Sequence, residues 1–184
     1  MRSSRQITTR FTMESGIHMG MLEGKVAVIT AATSGMAMAT AKLFVEVGAH
    51  VFITGRRKKK LNDAVKAIGR NVTGVQGDAS NLDDLDRLFE TVRRKQGKID
   101  ILFASAGFGE FAKIGEVTEE HFDKTFAVNV SGTLFTVQKA LPLFNNGGSI
   151  ILNGSIAGSK GFPAFGVYSA SKAAILCTLL ACGP

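Results

Sequence analysis

The stretch that decides the fold is KVAVIT (Lys25–Thr30) followed by AATSGMA (Ala31–Ala37). The first six residues are β-rich and apolar on both faces, which suits a parallel strand covered by helices on both sides. They run into a short turn of small and hydroxyl residues, and helix-type sequence starts at Gly35. A tight turn between a first strand and a first helix is where such sheets hold a dinucleotide, with backbone N–H groups and the helix N-terminus forming the anion site. Thr33 and Ser34 add hydroxyl donors. Only one glycine, Gly35, remains in the turn, so these residues alone are equally consistent with an ordinary strand–helix connection.

Outward from this stretch the pattern repeats. His50–Thr54 (HVFIT), Asn71–Gln76, Ile99–Ser105 (IDILFAS) and Ser149–Asn153 (SIILN) read as four more strands. Helical segments lie between them. Gly35–Val47 stops at Gly48 and Arg56–Ile68 stops at Gly69, both suitable residues just past a helix end. Asn81 is positioned as the N-cap of Leu82–Gln96, whose Asp83 and Asp84 suit the positive end of the helix dipole. Thr118 precedes a long segment from Glu119 to about Asn145, and a final helix starts at Val167. Five alternations of strand and helix predict an α/β fold, a doubly wound parallel sheet of the Rossmann-like kind. Residues 1–21 are mostly polar and show no periodicity; they are expected to be a disordered extension, with residues 22–184 forming one domain.

The 184 residues carry 22 Lys plus Arg against 15 Asp plus Glu, a net charge of +7. The excess is local. Arg2, Arg5 and Arg10 against Glu14 give the first twenty residues +2, and Arg56, Arg57, Lys58, Lys59 and Lys60 add five more; the remainder is balanced at 14 of each sign. A nucleic-acid binder with a broad basic face or a shared basic and aromatic stripe would look different. No apolar run reaches the roughly 18 residues of a membrane span, and no basic-then-apolar leader opens the sequence. Cys177 and Cys182 are expected to be buried free thiols in a reducing, cytoplasmic setting. Two cysteines cannot make a disulfide scaffold, and no partner ligands for a metal lie nearby.

The second strand ends Thr54-Gly55-Arg56-Arg57 with no acid to hold a ribose 2′-hydroxyl. An arginine at that point instead suits a 2′-phosphate through forked, charge-assisted hydrogen bonds. Cations at a helix start oppose the dipole, so Arg56 is assigned the phosphate while Lys58–Lys60 read as a solvated first turn.

Tyr168 is the only tyrosine, and Lys172 follows four residues later on the same helical face. An ammonium beside a phenol favours the phenolate and lowers its pKa from about 10, which makes a general acid/base. Ser155 follows the fifth strand at the end of the sheet where ligands bind. Asn129 lies within the long fourth helical segment, where asparagine is a poor helix former, and is a candidate for a proton relay.

In this order, Leu22–Pro184 resembles the short-chain dehydrogenase/reductase family. Thr30–Ala37 resembles the family's Thr-Gly-x-x-x-Gly-x-Gly turn, and Asp78 resembles its aspartate against the adenine ring. Ala104-Ser105-Ala106-Gly107 stands where the family usually has Asn-Asn-Ala-Gly. Asn129, Ser155, Tyr168 and Lys172 resemble the catalytic tetrad. The resemblance implies hydride transfer between a nicotinamide cofactor and a carbonyl or alcohol, and Arg56 points to NADP(H) in preference to NAD. Tyr168 would protonate the carbonyl oxygen. Lys172 would hold the nicotinamide ribose and lower the pKa of Tyr168. Ser155 would polarise the carbonyl, and Asn129 would hold a water linking Lys172 to solvent. The cofactor contacts it implies are Thr30, Ala31, Thr33, Ser34, Gly35, Met36, Arg56, Asp78, Ala79, Ser105, Ala106 and Gly107, with Tyr168 and Lys172. A homodimer or homotetramer of the full-length form is implied as well, and the charge, hydropathy and cysteine readings above leave no nucleic-acid, membrane or metal partner expected.

Departures from the family pattern shape further expectations. Ala31 replaces a turn glycine where positive φ is needed and should be strained; Ala37 replaces another, within the tolerance of the fingerprint. Ala104 and Ser105 replace two asparagines. Relative to the family, the strands after the Tyr–Lys helix and the substrate-covering loop are expected to be missing, which would leave strand five with a bare edge. A non-catalytic dinucleotide-binding module and an inactive truncated fragment stay open as alternatives.

Overall fold

The structure, a computed structural model, describes residues 20–180. Most of the expected N-terminal extension, and Cys182, lie outside these residues. Gly20–Gly24 form a turn tied to the fold by Leu22 N donating to the Val47 carbonyl.

Five parallel strands, β1 (Val26–Ile29), β2 (His50–Gly55), β3 (Val72–Gln76), β4 (Ile99–Ala104) and β5 (Phe144–Leu152), form one sheet in the order β3-β2-β1-β4-β5. The helices are α1 (Gly35–Glu46), α2 (Lys58–Ile68), α3 (Leu82–Gln96), α4 (Glu119–Phe126), α5 (Gly132–Ala140) and α6 (Gly166–Leu180). The period of two along β1 explains the layering. Val26 and Val28 join Phe52, Leu88, Val92, Leu102 and Val137 in one core, while Ala27 and Ile29 join Ala41, Val45, Ile53, Leu61 and Phe103 in the other. Helices therefore cover both faces, as strands apolar on both sides require.

Three expectations are corrected. The segment Glu119 to about Asn145 is not one helix. It passes from α4 through a wide π-type turn, Ala127–Ser131, into α5, and a 3₁₀ turn at Leu141–Leu143 ends it. Strand five starts five residues earlier than expected, at Phe144, because the main chain from there already lies beside β4. Its register jumps from Ile99↔Phe144 to Ile101↔Ser149, so Asn145–Gly148 bulge. As expected, β5 is an edge strand among the described residues, and Ile150 and Ile151 are exposed. Cys177 is exposed rather than buried: α6 turns Ser171, Lys172 and Ile175 inward and carries Cys177 on the opposite side.

Candidate active site

The strand order reverses between β1 and β4, and the crevice beyond their C-terminal ends is the usual ligand seat of an open α/β sheet. A cleft there is lined by Ala31, Thr33, Ser34, Arg56, Asp78, Ala79, Ala106 and Gly107 from the expected set. Thr54, Gly55, Arg57, Gly77, Phe108 and Val128 complete it. Thr30 sits behind the wall: its Oγ1 accepts from Ser105 N and Ala106 N, both at 3.0 Å, fixing the end of β4 against β1. Ala31 has φ 55, the left-handed region expected of it, and its N–H donates to Thr54 Oγ1 at 3.0 Å. Gly35 opens α1 with φ 59, and Met36 is exposed; neither lines the cleft.

The wall is shaped by small residues. A Cβ at Gly55 would lie 2.3 Å from Thr33 Cγ2, so the end of β2 and the first turn can approach only with glycine there. Arg56 follows directly and pairs with Asp78 at 3.6 Å, both side chains reaching solvent. Asp78 Oδ1 also accepts from the Ser80 N–H and hydroxyl. Behind it, Asp78 N donates to Asp84 Oδ2, and this backbone donor, then Arg87, holds the Asp84 carboxyl below the usual range. Lys58–Lys60 are exposed at the start of α2, where Lys59 pairs with Asp63.

At the other end of the cleft, the π-type turn faces α6. Asn129 lies within the turn and is fully buried. Its Oδ1 accepts from Phe108 N at 3.0 Å, and its Nδ2 donates to the Phe108 carbonyl and to Ser171 Oγ, both at 2.9 Å. Ser171 Oγ in turn donates to the Tyr168 carbonyl at 2.7 Å. Such insertions in a helix often mark functional sites; this one lets a polar side chain reach across to α6. Lys172 is buried on the same helix, with Nζ donating to the Asn153 carbonyl at 2.6 Å and lying 5.7 Å from the centre of the Tyr168 ring. Burial holds the Lys172 ammonium below the usual lysine value. A Cβ on Gly107 would come within 3.3 Å of both Asn129 Oδ1 and Lys172 Nζ, so the cleft floor is continuous with this cluster.

Ser155 is half-buried beyond β5. Its Oγ accepts from Ala157 N at 3.1 Å and caps the 3₁₀ turn Ile156–Gly158, which leaves the hydroxyl proton free to donate elsewhere. A Cβ on Gly158 would lie 2.9 Å from the Lys172 main chain, so this turn packs directly on α6. Tyr168 is half-buried and stacks on Phe165, with centroids 4.3 Å apart.

Asn129 and Lys172 therefore meet around Gly107, and Tyr168 shares the inward face of α6. Sequence reasoning missed Ser171 and the Asn153 carbonyl. Ser171 carried a legible signal, since it lies three residues after Tyr168 and one before Lys172. The Asn153 carbonyl carried none, because any residue supplies that group. Among the described residues no cluster of metal-ligating side chains occurs, and no helix is long and apolar enough to cross a membrane.

Comparison with known proteins gives the same picture. The family described as short chain dehydrogenase matches residues 25–180. An oxidoreductase of Sarocladium schorii, asL5, is 51% identical over 156 residues, covering 84% of this chain and 63% of that protein. Dehydrogenase/reductase SDR family member 4 of Mus musculus is 35% identical over 161 residues, covering 84% and 58%. This chain thus spans about three-fifths of the length of these curated relatives. A crystal structure of a short-chain dehydrogenase/reductase from Burkholderia phymatum in complex with NAD superposes with a TM-score of 0.84 at 30% identity, covering 87% of this chain and 59% of that one. One from Brucella melitensis gives 0.84 at 26% identity, covering 87% and 69%. With the switch-point cleft and the Tyr–Lys helix in place, and this match along residues 25–180, the chain belongs to the short-chain dehydrogenase family.

Proposed function

We propose that the chain is the cofactor-binding and catalytic part of an NADP-dependent oxidoreductase acting on a carbonyl or alcohol substrate. The observation that carries this reading is the junction at Gly107, where the switch-point cleft runs into the buried Lys172–Asn129 cluster beside Tyr168. The names of the relatives, an oxidoreductase and a dehydrogenase/reductase, support the reaction class.

The residues present fit a nicotinamide nucleotide. The lining is small or glycine wherever a main chain must come close, and two arginines stand at the end of β2 where an acid would select an unphosphorylated ribose. Arg56, already paired with Asp78, takes the 2′-phosphate, while Thr33 and Ser34 meet the pyrophosphate beside the start of α1. NADPH bound there supplies the hydride. Tyr168 passes its phenolic proton to the carbonyl oxygen. The cationic Nζ of Lys172, on the ring side, stabilises negative charge as that proton leaves and carries hydrogen bonds to the ribose. Ser155 donates its hydroxyl proton to the carbonyl oxygen and aligns it. With its side-chain amide bonded to Phe108 and Ser171, Asn129 acts by fixing the cleft floor and α6 together. A cytoplasmic location and assembly into homodimers or homotetramers belong to the same proposal.

The test is nucleotide titration. The sequence has no tryptophan, so reduced nicotinamide fluorescence can be followed without indole background. NADPH is expected to bind about tenfold or more tightly than NADH, as expected of one added charge-assisted contact, and to raise the thermal unfolding midpoint. Equal affinity for the two overturns the NADP assignment, and failure to bind either overturns the whole reading.

A further inference from the structure

Three aromatic rings stand in a column at the mouth of the site. Phe111 stacks on Phe165 with centroids 4.5 Å apart and planes tilted by 19°, and Phe165 stacks on Tyr168 at 4.3 Å and 25°. The column is built from two loops. Ala112 N donates to the Ala164 carbonyl at 2.8 Å and stitches the loop after β4 to the loop before α6. Ala164 holds φ 56, an uncommon conformation for alanine, directly before Phe165. Gly109 lies against the ring edges: a Cβ there would be 2.7 Å from both Phe165 Cζ and Tyr168 Cδ2. Yet Phe111, at the outer end, is 75% exposed. Its neighbour Glu110 is neutralised by Lys124 at 2.9 Å, so no free acid interrupts the surface.

A side chain so exposed contributes little to the core, but here it lengthens an aromatic wall that starts at the proposed proton donor. The side of a ring stack presents C–H edges of positive partial charge, and these prefer the π-face of another ring. We propose that Phe111 and Phe165, continuous with Tyr168, select flat, fused-ring aromatic ketones or aldehydes, which lie face-on against the ring edges with the carbonyl at the Tyr168 hydroxyl. This inference rests on the oxidoreductase reading above. The reaction balances as in any carbonyl reduction: the carbonyl carbon takes the hydride of NADPH, the oxygen takes the Tyr168 proton, and the alcohol and NADP⁺ leave. A saturated ketone of equal carbon count offers no π-face, however apolar it is.

The experiment compares 9-fluorenone with dicyclohexyl ketone, which match in carbon count and differ in planarity and aromaticity. NADPH-dependent turnover of each is measured in the intact protein. Binding is read in parallel from the emission of Tyr168, the only tyrosine in a chain without tryptophan. Fluorenone is expected to show at least about tenfold higher kcat/KM, and Phe111→Leu, which keeps an apolar side chain and removes the ring, to cut that preference about threefold to tenfold. Phe111→Ala serves as a second variant at the same exposed position. If dicyclohexyl ketone is reduced as well as fluorenone, or the preference survives both substitutions, the aromatic wall is overturned while the oxidoreductase reading stands. Turnover of neither ketone by protein that binds NADPH overturns the aromatic wall alone, whereas failure to bind NADPH or NADH overturns the oxidoreductase reading.

Discussion

The Asn129 side chain donates to Ser171 Oγ at 2.9 Å across 42 residues of sequence, tying the π-type turn to the helix that carries Tyr168 and Lys172. Both residues are fully buried. Removing the hydroxyl leaves one buried amide hydrogen without its partner, which costs about 1–3 kcal/mol. Ser171→Ala is therefore expected to lower stability by that amount in urea unfolding. Threonine restores the hydroxyl and is expected to recover part of the loss. Unfolding midpoints that coincide for wild type and the alanine variant would count against the link.

Ala31 sits at φ 55 in the turn after β1. Left-handed backbone is unfavourable for alanine and free for glycine. Ala31→Gly is expected to stabilise the protein by about 0.5–1 kcal/mol, after allowing for the greater freedom of glycine in the unfolded chain. Thermal unfolding checks the sign; a lowered midpoint contradicts the strain.

Arg56 and Asp78 pair at 3.6 Å on the cleft rim, with Arg56 largely exposed. Reversing the charge with Arg56→Glu places two carboxylates together and faces a 2′-phosphate with an anion. NADPH affinity is expected to fall at least about tenfold while NADH affinity falls much less. Equal losses for both nucleotides in the fluorescence titration would show that Arg56 acts only through the fold.

Burial holds Lys172 below the ordinary lysine value, which is about 10.4 in a solvated chain. Between the depressed folded value and that solvated value, the unfolded chain binds more protons than the native one, so stability rises with pH across this window. Below the folded value both states are protonated and the contribution is flat. Lys172→Met removes the group and is expected to remove the rise. Urea midpoints for both proteins from neutral pH to about pH 10.5 test this, and parallel curves would contradict it.

What could be read from residues alone followed the range of the forces involved. The ends of α3 were legible to the residue because their signals are local: Asn81 Oδ1 accepts from Asp83 N and Asp84 N, and Gly97 closes the helix at φ 75. The alternation of strands and helices was legible for the same reason. The break at Asn129 was not, because bonds to Phe108 and Ser171, distant in sequence, stabilise the turn. The Asn145–Gly148 bulge was missed likewise, since Asn-Asn-Gly-Gly reads as the end of a helix until β4 lies beside it. Arg57, Gly77 and Val128 reach the cleft only through the strand order, which no single segment encodes.

The close approach at Gly132 carries a lesson about mutational fragility. This first residue of α5 lies where a Cβ would come 2.8 Å from the Ala79 carbonyl and 3.2 Å from the Ala127 carbonyl. One missing methyl group thus lets the loop beside Asp78 and the turn bearing Asn129 occupy adjoining space. Any side chain at this position strikes two places at once: the loop beside Asp78 and the turn that carries Asn129. A compensating change must therefore accommodate two neighbours rather than one, so a substitution here costs more than one at an exposed position of α5 such as Leu134.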